Sequence, residues 1–222
     1  MILTCGPNNN IRTINFSLPI LPNFSSTVVK KLYFRTNNLK QGNRIGVLIS
    51  GGIDSALLYY LMLKENLDTG NKFIITPYSM MRKEGSKYFA IKVTEYVNSL
   101  FNISTEKLNI VGDNSLEEIK QVSSAVDDVL KENDFVYLGI IEAQPQHLVN
   151  WATLNFKETI NRRYPFLTLN KSHIIDLVIN LNLTHLFSIT HSCAINEEVP
   201  CNNCNGCNER SWGFEQLGLK PA

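Results

Sequence analysis

Short, continuous apolar runs alternate with longer amphipathic stretches through the middle of this chain, and that alternation constrains its fold most. The runs occupy residues 44–49, 72–77, 108–111 and 135–140. A short apolar run without polar alternation suits a strand buried on both faces. Helical stretches separate and follow the runs: residues 56–64, then Phe89, Val93, Tyr96, Val97 and Leu100 at i, i+4, i+7, i+8 and i+11, then residues 116–131. Ile174, Ile175, Val178 and Leu181 mark a further helix. Strands alternating with helices in this way predict an α/β fold, a doubly wound, mainly parallel sheet with helices on both faces.

The chain has 222 residues, 44% of them hydrophobic, which is enough for a sizeable core. Lys and Arg number 21 and Asp and Glu 20, a net charge of +1. A balance so near zero leaves no strong signal for nucleic acid or for an anionic membrane surface. The longest apolar runs, such as residues 56–63, are too short to span a bilayer. The first residues, 1–7, place no basic stretch before an apolar one, so no secretory signal is read and a cytoplasmic location is expected. Residues 1–43 are the least legible: residues 8–10 and 19–23 are turn-like, and the alternation of Ile14, Phe16 and Leu18, and less cleanly of Val29, Lys31 and Tyr33, predicts one or two strands. The expected organisation is an N-terminal extension (1–43), a nucleotide-binding domain (44–190) and a C-terminal cysteine segment packed on it (191–222).

Between the first predicted buried strand and the helix after it lies Ser50-Gly51-Gly52-Ile53-Asp54-Ser55. Paired glycines let the backbone turn sharply and approach a ligand closely. The amides that open the following helix point outward into positive potential, which makes an anion site suited to phosphate or pyrophosphate. Ser50 and Ser55 place hydroxyls at both ends. Asp54 either holds a Mg²⁺ that bridges phosphates or caps the helix. In its strand–loop–helix context the string resembles the pyrophosphate-binding loop of the PP-loop ATP pyrophosphatase superfamily. That resemblance implies ATP bound with Mg²⁺ and cleaved between the α and β phosphates, with an adenylated carbonyl substrate.

Four of the five cysteines, Cys193, Cys201, Cys204 and Cys207, fall in one short segment. Cys-x-x-Cys steps let two thiolates reach one ion from a tight turn, and four soft ligands with no open position suit a structural Zn²⁺. An iron–sulfur cluster is the rival, but the usual ferredoxin continuation is missing after Cys207, which favours zinc.

Several further residues join these two motifs into one pattern. They are Pro165-Phe166, Lys171, Ile174-Ile175, Thr190-His191-Ser192-Cys193, and then the remaining cysteines with Arg210, Phe214 and Gly218. Together with Ser50–Ser55 they resemble the 7-cyano-7-deazaguanine synthase (QueC) family, with Tyr78, Arg82 and Glu84 as a looser match. The resemblance covers about residues 44–219. It implies an adenine nucleotide alpha hydrolase-like fold, and an ATP-dependent ligase that turns a 7-carboxy-7-deazaguanine and ammonia into the nitrile. Queuosine biosynthesis is the pathway it points to, and a homodimer is compatible with it. It also implies that Ser50, Gly51, Gly52, Ile53, Asp54, Ser55 and Arg82 bind ATP or pyrophosphate, with Asp54, Ser55 and Lys171 catalytic. The family's Tyr-Pro-Asp-Cys-Arg segment after the fourth strand has no counterpart; residues 139–147 stand there instead. QueC-like proteins of bacterial antiphage systems carry similar changes, so a divergent or phage-related member is a further expectation. The alternatives are adenylation of another carboxylate, a tRNA base or a protein, and a zinc- and nucleotide-binding module without catalysis.

Single residues carry two readings each. Lys171 opens a helix against its dipole, which suits an anion-binding role, or it is a solvated helix lysine. Arg82 clamps phosphates or sits at the surface. His191, two residues before Cys193, reads as a hydrogen-bonded structural histidine ahead of a ligand or base. Cys5 is a bystander.

Overall fold

The computed structural model describes residues 2–5, 11–17, 29–35, 39–80, 86–103, 107–113, 115–116, 118–141, 156–196 and 199–221. At the N-terminus, β1 (Ile2–Cys5), β2 (Ile11–Ser17) and β3 (Val29–Arg35) form an antiparallel sheet in the order β1-β2-β3. Among the described residues there are three strands where the sequence pointed to one or two. Ile14 and Phe16 fall in β2, and Val29, Lys31 and Tyr33 in β3; the strand without a sequence signal is β1, whose four residues are too few to show a period of two.

The second sheet is the body of the protein. It comprises β4 (Arg44–Leu48), β5 (Ile74–Met80), β6 (Asn109–Val111), β7 (Phe135–Leu138) and β8 (Arg162–Arg163), in the order β6-β5-β4-β7-β8. Every pairing in it is parallel. Each of the four predicted runs supplies a strand. The fifth strand, β8, was not predicted: it is a two-residue arginine pair at the sheet edge, with no apolar signature.

The connecting helices are α1 (Ile53–Asp68), α2 (Ser86–Leu100), α3 (Glu118–Glu132), α4 (Lys171–Asn180), α5 (Leu186–Ile189) and α6 (Asn205–Glu215). Ile45 and Val47 of β4 face one core, built with Leu57, Leu58 and Met62 of α1, Val93 and Val97 of α2, and Ile174 and Leu177 of α4. Leu48 faces the other, with Tyr78 of β5 and Ala125, Val126 and Val129 of α3. The central strand thus alternates between two apolar layers, the arrangement of a doubly wound parallel sheet. A third, smaller core of Ile175, Phe214 and Leu217 seats α6 on α4. No helix among the described residues is long and apolar enough to cross a membrane.

Candidate functional site

Strand β4 has β5 on one side and β7 on the other, so the direction of winding reverses at its C-terminal end. In open α/β sheets the crevice at such a reversal is where ligands bind. The Ser50–Ser55 string lies there, directly after β4. The helix starts earlier than the sequence pattern suggested, at Ile53, with Gly52 as N-cap and no side-chain capping bond. Asp54 is therefore not the cap; it stands in the first turn, and the opening amides of α1 have no intrahelical acceptor.

The loop is tied internally by its serines. The Ser50 amide donates to Ser55 Oγ at 3.1 Å, and Ser55 Oγ donates to the Gly52 carbonyl at 3.0 Å. The two hydroxyl oxygens lie 3.1 Å apart. Gly51 has φ +83°, a left-handed conformation that side-chain-bearing residues rarely adopt. From the far side, Gly139 at the end of β7 packs on the turn: a Cβ there would sit 2.9 Å from the Ser55 nitrogen and the Asp54 carbonyl carbon. The sequence offered no signal for Gly139 beyond its place at a strand end.

Lys171 is the first residue of α4. Asn170 and His173 hold that helix start in a reciprocal capping box. The lysine is buried, and its Nζ lies 2.5 Å from Asp54 Oδ2 and 3.2 Å from Glu209 Oε2. Burial pulls its pKa down, but the two carboxylates outweigh it and hold the pKa above the ordinary lysine value. Burial raises that of Glu209, with Lys171 opposing. The other oxygen of Asp54, Oδ1, is buried and has no hydrogen-bond partner among the described residues. A buried carboxylate oxygen left open beside a phosphate-type loop is a fitting ligand for Mg²⁺. Lys171 is thus neither solvated nor free: it joins α1, α4 and α6. Glu209 was not singled out from sequence; the available hint was an acid two residues after Cys207 on a short helix.

The four thiols gather beside this cluster. Every pair of their Sγ atoms lies within 4.8 Å, with Cys193 and Cys204 3.9 Å apart and Cys201 and Cys207 4.0 Å apart. Four thiolates on one tetrahedral ion at 2.3 Å would be about 3.8 Å apart, so the set fits a single metal. Backbone amides of Asn196 and Cys201 donate to Cys193 Sγ at 3.3 and 3.5 Å, and the Cys204 amide donates to Cys201 Sγ at 3.3 Å. Burial opposes the Cys193 thiolate, but the donors to its own sulfur, the Asn196 and Cys201 amides foremost, prevail and bring its pKa down to about 5. The donor chemistry and spacing fit a metal such as zinc.

His191 joins the thiol segment to the loop. Its amide donates to the Gly51 carbonyl at 3.0 Å, its Nε2 lies 2.6 Å from the Asn196 carbonyl oxygen, and its ring stacks on Phe89 at 4.5 Å. That is a structural histidine, outside the ligand set. Arg210 is turned inward and donates to the carbonyls of Phe187 and Thr190. Tyr78 is turned away from the crevice, its hydroxyl accepting from Asn133. Arg82, Glu84 and residues 142–147 lie outside the described residues.

The family described as queuosine biosynthesis protein QueC matches residues 140–218. The 7-cyano-7-deazaguanine synthase of Campylobacter jejuni subsp. doylei is 24% identical over 214 residues, covering 78% of this chain and 94% of the relative. That of Methanospirillum hungatei is 22% identical over 213 residues, covering 78% and 95%. Among solved structures, the U34-tRNA thiolase NcsA from Methanococcus maripaludis with its [4Fe-4S] cluster is similar at a TM-score of 0.44 and 17% identity, over 82% of this chain and 67% of that one. PH1313 from Pyrococcus horikoshii is similar at a TM-score of 0.39 and 17% identity, over 70% and 47%. The sequence relatives indicate an enzyme of the PP-loop ATP pyrophosphatase type. Through the cysteine segment by the family match, and along most of its length by these relatives, this chain is similar to QueC proteins.

Proposed function

We propose that this chain is an ATP-dependent ligase that converts 7-carboxy-7-deazaguanine and ammonia to 7-cyano-7-deazaguanine. The observation that carries the reading is the Asp54–Lys171 pair at the opening of α1, at the sheet's reversal point, in a chain matched to QueC. Ser50, Gly51, Gly52, Ile53 and Ser55 cradle the β- and γ-phosphates with backbone amides and hydroxyls. Lys171 and Arg82 offset charge on the departing pyrophosphate. Asp54 Oδ1 would hold Mg²⁺, and the ion would supply charge withdrawal from the leaving group.

The substrate carboxylate attacks the α-phosphorus, and the bond to pyrophosphate breaks as the acyl–AMP anhydride forms. Ammonia displaces AMP and loses a proton, leaving the primary amide. The amide oxygen then attacks the α-phosphorus of a second ATP, releasing a second pyrophosphate and a proton. Loss of AMP and the last N–H proton gives the nitrile. The chain's contribution is to hold carboxylate, ATP and ammonia in line and to stabilise the leaving group. Cys193, Cys201, Cys204 and Cys207 would hold one zinc, which would shape the C-terminal segment without binding substrate.

The test supplies the purified protein with ATP, Mg²⁺, ammonium and 7-carboxy-7-deazaguanine, and follows pyrophosphate release and the nitrile by mass spectrometry. Release that requires the deazapurine supports the reading. Release only with another carboxylate or with tRNA moves the chain to a different acceptor. No release with any of them makes it a binding module.

A further inference from the structure

The proposed chemistry uses Asp54 and Lys171 but leaves Glu209 without a task, although it is the second acid on the same buried ammonium. Three elements meet at Lys171 Nζ: α1 brings Asp54, α4 the lysine itself and α6 Glu209. The lysine side chain is only 4% exposed, and both acids are largely buried. The two acids are not equivalent. Asp54 stands in the first turn of α1, with Oδ2 on Lys171 and Oδ1 open. A cation drawn to Oδ1 competes with Lys171 for the charge of that one carboxylate. Glu209 lies on a separate helix, anchored by Phe214 and Leu217 in the small third core and by the bonds from Arg210 to Phe187 and Thr190. The stem of Lys171 packs on Gly213, one helical turn after Glu209.

We propose that Glu209 is a positioning residue, holding the Lys171 ammonium at the mouth of the loop while Asp54 turns to the cation, so that MgATP meets a lysine already in place. The proposal rests on the pyrophosphate-loop reading above. Without Glu209, Lys171 and Asp54 form a closed, partly desolvated ion pair that must open before phosphate can engage the lysine. With Glu209, a second carboxylate keeps the ammonium compensated as Asp54 lets go.

The experiment is calorimetric titration of MgATP into the metal-loaded wild type, Glu209→Gln, Lys171→Met and the double variant, with melting temperature and zinc content measured on each. Glu209→Gln is expected to weaken MgATP about tenfold, and the double variant to bind no more weakly than Lys171→Met alone, because Glu209 acts only through the lysine. In turnover, Glu209→Gln should raise KM for ATP by a similar factor and lower kcat much less, since bound phosphates hold the lysine once they arrive. A general loss of structure would not produce that split or that non-additivity. Should Glu209→Gln fold poorly, Glu209→Leu removes the same charge and fills the space, with the same expectation. Unchanged or tighter binding by Glu209→Gln, alongside weakened Lys171→Met, overturns the role of Glu209 and leaves the loop reading intact. Additive losses also overturn it. A wild type that does not bind MgATP removes the loop reading and the proposal together.

Discussion

Replacing Lys171 by Met is the sharpest test of how the candidate site is held together. The substitution keeps most of the apolar stem and deletes the ammonium that lies between Asp54 and Glu209. Two largely buried carboxylates are then left facing each other without a cation. Breaking a buried ionic network by removing one partner destabilises by about 3–5 kcal/mol, whereas a solvated helix lysine would change stability by about 0.5 kcal/mol or less. For a chain of this size the larger figure corresponds to a fall in Tm of roughly 6–20 °C. The pH dependence has a definite sign. Glu209 already has a raised folded-state pKa, and losing Lys171 removes the main influence opposing that rise. A raised carboxyl pKa favours the folded state below the unfolded value of about 4.3, and that contribution is lost as pH climbs through the folded value. The gap between variant and wild type should therefore be widest near neutral pH and narrow towards pH 4.5. The assay is a thermal melt of both proteins at pH 7 and pH 4.5. A Tm within about 2 °C of wild type at pH 7 would show that the ammonium is not held between the two acids, and the argument built on them would fail.

Asp54→Ala, and separately Ser55→Ala, should lower ATP-dependent pyrophosphate release by at least about a hundredfold with little change in circular dichroism; wild-type kinetics for both would reject the loop. Metal analysis of purified protein should find one zinc per chain, and stoichiometric iron with sulfide would reverse that assignment. Cys204→Ser should lower zinc content and Tm while turnover per folded molecule is kept at low temperature; a well-folded, inactive variant would place the metal or thiol in the reaction. Stability should fall between pH 10 and about 12: burial raises the folded-state pKa of Tyr137 to about 12 and the carboxylates raise that of Lys171. Both groups favour the folded state below their unfolded pKa and lose that contribution as pH rises through the folded one. Tyr137 alone contributes about 2–3 kcal/mol, and a flat alkaline stability curve would contradict it.

The parallel sheet was legible because its four main strands are mostly apolar and lie between helical patterns. What stayed hidden was either too short to carry a pattern, as with β8, or decided by distant contacts. The pair between Lys171 and Asp54 joins positions 117 residues apart, and no local spacing encodes it. Read locally, Lys171 is a cation at the wrong end of a helix; in the folded chain that position puts it against an acid in the first turn of another helix. Glu209 was harder still. It belongs to a short helix without a clear apolar face, so burial of an acid there leaves no trace in hydrophobic periodicity. The four cysteines were readable because metal chemistry fixes residue type and spacing together.

The cysteine segment also explains why a structural metal would matter to a site it does not touch. Between Cys193 and Cys207 the described residues bury little: Ile195 and Val199 are 64% and 68% exposed, and among the described residues Cys207 alone is buried. Hydrophobic burial cannot fix such a loop, so thiolate ligation and amide-to-sulfur bonds must supply its shape. Two links to the candidate nucleotide loop leave from its ends. At one end the His191 amide holds the Gly51 carbonyl; at the other, Cys204 caps α6 and Cys207 lies in its first turn, just before Glu209 and Arg210. A metal that orders this loop therefore sets where α6 begins, and through it the distance from Glu209 to Lys171. On the proposed reading, zinc acts on ATP through geometry alone.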